Sequence, residues 1–310
     1  MNRDQIIQIL QNILPMEEGQ ILVNAPMDCR TGFRAGGKAD LLIVLQSCDH
    51  LGEVLQVLRQ EGMPVFVMGN GSNLLVRDGG IRGAVIQIGK DASQIRVEGE
   101  RIFVSAGAML SAIGSKAAEA GLDGFVFASG IPGTFGGAIV MNAGAYGGEM
   151  KDVVESVDVL TPQGEKKTLS VEELDFSYRH SVIAQKGYVV LGGVIHLQKG
   201  DKEQIRSQMR ELAEKRRNSQ PLQYPSCGST FKRPAGFFAA KLIDDAGLKG
   251  LQVGGAQVSE KHAGFIVNTG NATATDILQL IRLVQEKVQQ AFGVWLEPEI
   301  RIVGEDGSTL

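Results

Sequence analysis

Apolar positions along this chain switch between two spacings, and the switches mark its elements. Ile6, Ile7, Leu10, Ile13 and Leu14 recur at helical spacing, which predicts an amphipathic helix packed on its own domain. Continuous apolar runs at 41–45 (LLIVL) and 65–69 (VFVMG) flank a helix-period stretch at 51–60, a strand, helix, strand unit expected to be parallel and right-handed. AVIQI (84–88), IRVEGE with RIFVSAG (95–107) and GYVVLGGVIHL (187–197) read as strands, 110–120 as a helix, and VESVDVLTPQGEKKTL (154–169) as a hairpin turning at Pro162-Gln163-Gly164. The pattern then becomes a charged helix over 202–217. A short helix at 237–246 is closed by Gly247, and Thr273 with Asp276 caps a helix over 276–292 that aligns Ile277, Leu280, Ile281, Val284 and Val288 on one face. These elements suggest three lobes, 1–83, 84–201 and 202–298, the last made of a linker helix and an α/β domain.

One stretch belongs to neither spacing. Residues 124–148, GFVFASGIPGTFGGAIVMNAGAYGG, carry no charge and eight glycines. A membrane-spanning helix is excluded, because those glycines with Pro132 and Asn142 would break it. Glycine lets backbone N–H groups approach a ligand without a Cβ in the way, so a turn-rich loop lining a phosphate or a large planar cofactor is expected. A glycine-rich bend between strands is the ordinary alternative. A second candidate anion loop, Gly69-Asn70-Gly71-Ser72-Asn73, follows the apolar run at 65–68, at the strand end where α/β proteins bind anions. It lacks the Gly-Lys-Ser/Thr ending of a nucleotide-hydrolase loop, and Leu74 stands where a dinucleotide fingerprint has its third glycine.

Composition narrows the classes further. The 310 residues are 43% hydrophobic and 21% charged, as in soluble globular proteins, with a net charge of −4. No basic excess points to nucleic acid, so an anionic ligand has to be met by locally placed cations. Cys29, Cys48 and Cys227 have neither disulfide-framework nor metal spacing, and the N-terminus has no apolar core or cleavage site of a signal peptide. A reduced, cytoplasmic protein without metal or membrane partner is expected.

Four blocks, TGFRAGGKAD (31–40), MGNGSNLLV (68–76), SGIPGTFGGAIVMNAGAYGGE (129–149) and CGSTFKRP (227–234), with LEPEIRIVG (296–304), resemble those of the UDP-N-acetylenolpyruvoylglucosamine reductases, in the same order and over nearly the whole chain. The resemblance implies an α+β, three-lobe flavoprotein with the FAD-binding fold of the vanillyl-alcohol oxidase type and a C-terminal α/β substrate domain. It implies noncovalent FAD, NADPH as electron source, and an enolpyruvyl UDP-sugar of peptidoglycan precursor synthesis as substrate. It also suggests that the last strand, about 299–303, returns to the first lobe, and that the chain is of the shorter form without a tyrosine-bearing loop. A monomer or weak dimer is expected.

Reducing an enolpyruvyl ether needs hydride at the methylene carbon, charge stabilisation at the conjugated carboxylate and a proton for the ether-bearing carbon. The resemblance makes Ser229 the proton donor; alone, it would read as a turn serine beside Gly228. Cys227 is the stronger acid nearby, but the family's donor follows the glycine. Arg179, in FSYRHS, is suited to gripping a carboxylate with two parallel hydrogen bonds; a surface arginine is the alternative. Glu299 is the third catalytic residue implied, and Glu297, two positions earlier across Pro298, is separated from it only by motif register. For the diphosphate, Lys249 and Lys232 are first choices, with Arg217 and His262 behind them; each alone is more often a solvated charge. FAD is expected against Gly69, Asn70, Gly71, Ser72 and Asn73 and against Gly130, Ile131, Pro132, Gly133, Thr134, Gly136 and Gly137, with Asn142, Ala143 and Gly144 lining the ring. The rivals are another FAD oxidoreductase of alcohol oxidase type, or a non-catalytic flavin or nucleotide-sugar binding protein.

Overall fold

The computed structural model describes residues 3–15 and 17–307. The helices expected from periodicity form at Arg3–Ile13, Leu51–Gln60, Leu110–Ala120, Lys202–Ser219, Ala239–Asp245 and Ala274–Phe292; Met1 and Asn2 lie outside the described residues. Strands Gly19–Pro26, Lys38–Leu45, Ile81–Ile88 and Val65–Met68 form one sheet in that spatial order, with Val65–Met68 parallel to Ile81–Ile88. The two strands of the expected strand, helix, strand unit are thus not neighbours, because Ile81–Ile88 is inserted between them. The expected boundary at 83 and 84 falls inside that inserted strand, whose buried Ile86 and Ile88 share one cluster with Leu41, Ile43 and Leu55. The division of the chain into compact units crosses the same strand, between Arg82 and Gly83.

A second, antiparallel sheet runs Lys166–Ser170, Val154–Leu160, Val189–His196, Arg101–Ser105, Ile95–Glu98. Its hairpin turns where sequence chemistry placed it, with Gly164 at φ +86°. Gly192 and Gly193 sit mid-strand because a side chain at Gly193 would come within 2.5 Å of the Ser156 carbonyl oxygen and 3.0 Å of the Phe135 ring. Helix Phe135–Val140 therefore lies directly against this strand.

The chain divides into two compact units. The first, Met1–Leu22, Leu41–Asn70 and Gly83–Glu214, is built on the larger apolar cluster, which includes Leu10, Leu45, Ile102, Phe135 and Val157. The second, Val23–Asp40, Gly71–Arg82 and Lys215–Leu310, has its own core of Phe33, Leu75, Phe231, Ile243, Val258, Ile277, Leu280, Val284 and Leu296. Within the second, strands Gln252–Val253, Ala256–Val258 and Ile266–Asn268 form an antiparallel sheet. Strand Arg301–Val303 pairs parallel with Leu74–Val76.

Helix Ala274–Phe292 is defined at both ends. Thr273 and Asp276 make the reciprocal capping box read from the sequence, and Gly293 closes the helix in the left-handed conformation, φ +69°. Asp78 adds a cap from far along the chain, its carboxylate accepting from the N–H groups of Ala274 and Thr275, both at 2.8 Å, and from the Thr275 hydroxyl at 2.6 Å.

Candidate active site

In the first unit the two glycine-rich segments meet. A Cβ at Gly69 would lie 2.3 Å from Thr134 Oγ1, so the end of strand Val65–Met68 reaches the second loop only because residue 69 has no side chain. The Gly69 carbonyl is held by Gln87 Nε2 at 3.2 Å. Thr134 is buried and caps helix Phe135–Val140, with Gly137 N–H 3.4 Å from its hydroxyl. That helix replaces part of the expected loop. The segment before it is pinned by Leu110 N–H to the Gly133 carbonyl at 3.0 Å and by Phe135 N–H to the Ala108 carbonyl at 2.8 Å. Gly130, Pro132 and Gly137 stay exposed along this edge. No carboxylate occurs at 69–76 or 124–148, so an anionic diphosphate would meet backbone and neutral groups without like-charge repulsion. The residues present therefore fit a noncovalent dinucleotide such as FAD.

Arg179 stands at the tip of a tight turn in the same unit. Ser177 and His180 exchange both backbone hydrogen bonds at 3.1 Å, and Arg179 itself has φ +55°. Its guanidinium donates to the Gly144 carbonyl at 3.3 Å and lies 4.9 Å from the centre of the Tyr178 ring. Asn142, expected to line the cofactor, is instead fully buried, with its amide N–H groups donating to Glu149 Oε2 and the Ser177 carbonyl, each at 3.0 Å. Ala143 is buried as well, and Gly144 is half-buried.

The second unit brings Ser229 and Glu299 together through backbone pairing. Residues 229–232 lie between two partners. Ser229 bridges to Phe265 and Thr230 N–H donates to the Gly264 carbonyl, while Phe231 bridges to Pro298 and Glu299 N–H donates to the Thr230 carbonyl at 2.8 Å. Asn73 Nδ2 donates to the Glu299 carbonyl at 3.1 Å, which ties the end of the 69–73 loop to the same segment. Ser229 is exposed and its neighbour Thr230 is fully buried. Glu297, two positions before Glu299, forms an ion pair with Lys232. Cys227 is buried against the Leu74 carbonyl, and desolvation pushes its thiol up to about 12, which removes it as an acid of useful strength.

The cations of this unit are partly engaged. Lys249 pairs with Asp244 at 2.8 Å, and Arg217 is exposed, its carbonyl accepting from Lys261 Nζ at 2.5 Å. The His262 ring accepts from Gly264 N–H at Nδ1, 3.2 Å, and packs edge-on to Phe265. Burial first, and then the Lys249 charge, lower its pKa below 6.5. One polar atom escaped the sequence reading. Gln220 Oε1 is buried without a hydrogen-bond partner among the described residues, a loss of about 1–3 kcal/mol unless a ligand or water supplies the donor. No sequence signal marks it.

An FAD binding domain model matches residues 39–170, and the model for the C-terminal domain of UDP-N-acetylenolpyruvoylglucosamine reductase matches 220–303. A reductase of that name from Caldanaerobacter subterraneus subsp. tengcongensis is 53% identical, covering 97% of this chain and 98% of the relative. The chain belongs to the UDP-N-acetylenolpyruvoylglucosamine reductase family. A second reductase, from Alkaliphilus oremlandii, is 47% identical over 99% of the chain and its own full length. The crystal structure of the Thermus caldophilus reductase superposes with a TM-score of 0.77 at 36% identity, covering 92% of this chain and 99% of that one. The fold is the α+β flavoprotein fold of this reductase family, and the match over 39–170 makes FAD its cofactor. No helix among the described residues is long and apolar enough to cross a membrane.

Proposed function

We propose that this reductase converts UDP-N-acetyl-3-O-(1-carboxyvinyl)glucosamine to UDP-N-acetylmuramate with NADPH, as a cytoplasmic monomer or weak dimer. The near-full-length match at 53% identity carries the reading. Bound FAD would supply two-electron chemistry, passing a hydride from NADPH to the methylene carbon of the enolpyruvyl group. Gly69, Asn70, Gly71, Ser72 and Asn73 would hold it together with Gly130, Ile131, Pro132, Gly133, Thr134, Gly136, Gly137, Ala143 and Gly144, mostly through backbone groups. The lobe spanning 202–298 would bind the sugar nucleotide.

Within this reading, Arg179 grips the substrate carboxylate and stabilises the charge that builds there as hydride arrives, a task suited to a permanent, planar cation. The Ser229 hydroxyl delivers the proton to the ether-bearing carbon. A hydroxyl is a weak acid, so transfer depends on the basicity of the developing carbanion and on the hydroxyl being held close to it. Glu299 assists at the substrate carboxylate. Lys249, Lys232, Arg217 and His262 meet the diphosphate, which requires the lysines to exchange their ion pairs with Asp244 and Glu297 for the ligand. Both pairs are partly exposed, so the exchange costs little.

Ser229→Ala tests the assignment of the proton. Flavin reduction by NADPH should keep its rate while reoxidation by the enolpyruvyl substrate slows by about 100-fold or more. Equal slowing of both half-reactions would remove Ser229 from proton delivery.

A further inference from the structure

We propose that Asn142 is the positioning residue for Arg179, binding the arginine turn to the glycine block so that the guanidinium is held in a fixed place. The inference rests on the role given to Arg179 above. It starts from Asn142, an asparagine inside the uncharged, glycine-rich segment 124–148. Asn142 is fully buried, and its backbone has φ +44°, a conformation that asparagine tolerates better than most residues.

All of its hydrogen-bonding groups are used. One amide N–H holds Glu149 Oε2 and the other holds the Ser177 carbonyl, while Oδ1 accepts from Lys151 N–H, all at 3.0 Å. Ser177 opens the two-residue turn that carries Arg179, and Ser181, just after it, donates from its hydroxyl to the Val140 carbonyl at 2.8 Å. Arg179 itself reaches the Gly144 carbonyl. The turn is therefore clamped at its start, its tip and its end to Asn142, Gly144 and Val140, three positions within five residues of the glycine block. Asn142 and Ser181 both clamp through buried side chains, and Asn142 is the one that also ties Glu149 and the Lys151 backbone to the turn, so its loss loosens more than one contact.

The left-handed backbone at Arg179 gives the clamp its purpose. A non-glycine residue held there is strained by about 1–2 kcal/mol, and such strain persists only where the surroundings over-determine it. Freed from Asn142, the turn can relax and the guanidinium move with it. Flavin reduction does not involve the substrate carboxylate, so the effect should be confined to the second half-reaction.

The test is a double-mutant cycle on the full-length holoenzyme with Asn142→Asp and Arg179→Ala. Aspartate keeps the shape and the acceptor toward Lys151 N–H, but sets a carboxylate against the Ser177 carbonyl and Glu149. Asn142→Asp alone should slow substrate-driven reoxidation by about 10–100-fold, as misplacement of a catalytic group does. NADPH-driven reduction and the flavin absorbance of the purified protein should stay close to wild type. In the Arg179→Ala background the same change should slow reoxidation by less than about twofold, because a residue that acts through another has nothing left to position. Multiplicative slowing in the double variant, or equal slowing of both half-reactions in Asn142→Asp, overturns the inference. If Asn142→Asp is purified without flavin, Asn142→Gly, which accepts the left-handed backbone without strain, carries the same cycle with the same two outcomes. Wild-type reoxidation by Arg179→Ala alone would overturn the role of Arg179, and this inference with it. An additive cycle on top of a slow Arg179→Ala would overturn only the positioning role.

Discussion

Single residues in this reductase differ in function mainly through how far water reaches them. Cys227 and Ser229 stand two positions apart, yet the thiol lies in the core with its pKa pushed up to about 12 by burial, while the hydroxyl is exposed. The weaker acid is thus the one able to meet a substrate. His262 shows the same principle with the opposite charge sign. Burial disfavours its protonated form, so its pKa in the folded protein lies below the ordinary 6.5. The unfolded chain then binds the proton more readily than the folded one. The contribution of the neutral ring is complete above 6.5 and is lost as pH falls through the lower, folded value. Urea midpoints at pH 7.5 and 5.0 should therefore fall further for the wild type than for His262→Gln. Equal falls would show that the ring is solvated in the folded state.

Elements here were legible where the cause is local and hidden where it is distant. The helix Ala274–Phe292 was readable in type, face and cap, because Thr273, Asp276 and the stripe from Ile277 to Val288 all act within a turn or two of their own position. Asp78, 196 residues before Ala274 along the chain, left no trace in the pattern although it makes three hydrogen bonds to the first turn. A carboxylate at a helix N-terminus satisfies orphan N–H groups and meets the positive end of the dipole. Asp78→Ala should lower stability by about 1–2 kcal/mol in urea unfolding. A change under 0.3 kcal/mol would mean that the Thr273 and Asp276 box suffices. The insertion of strand Ile81–Ile88 between its two neighbours was equally invisible, since pairing order is a property of the sheet and not of the strand.

On the scale of the whole molecule, the family blocks carried more than periodicity could. Arg179 in the first unit, with Ser229 and Glu299 in the second, are separated by 50 to 120 residues of ordinary-looking sequence. Taken singly, each would pass for a surface arginine, a turn serine or a strand-edge glutamate. The resemblance picked them out, and the pairing of 229–232 with 297–299 supplies a physical reason for two of them to act together. The bonds around Asn142 could not be read in advance, because its partner Ser177 is 35 residues away and a buried asparagine in a glycine-rich run looks like any turn residue. The central claim, that the protein moves electrons from NADPH to an enolpyruvyl sugar nucleotide, is tested most directly by an anaerobic mixing experiment on the wild type. NADPH should bleach the flavin absorbance, and the enolpyruvyl UDP-sugar should restore it without oxygen. A flavin that bleaches and returns only when oxygen is admitted would contradict the account.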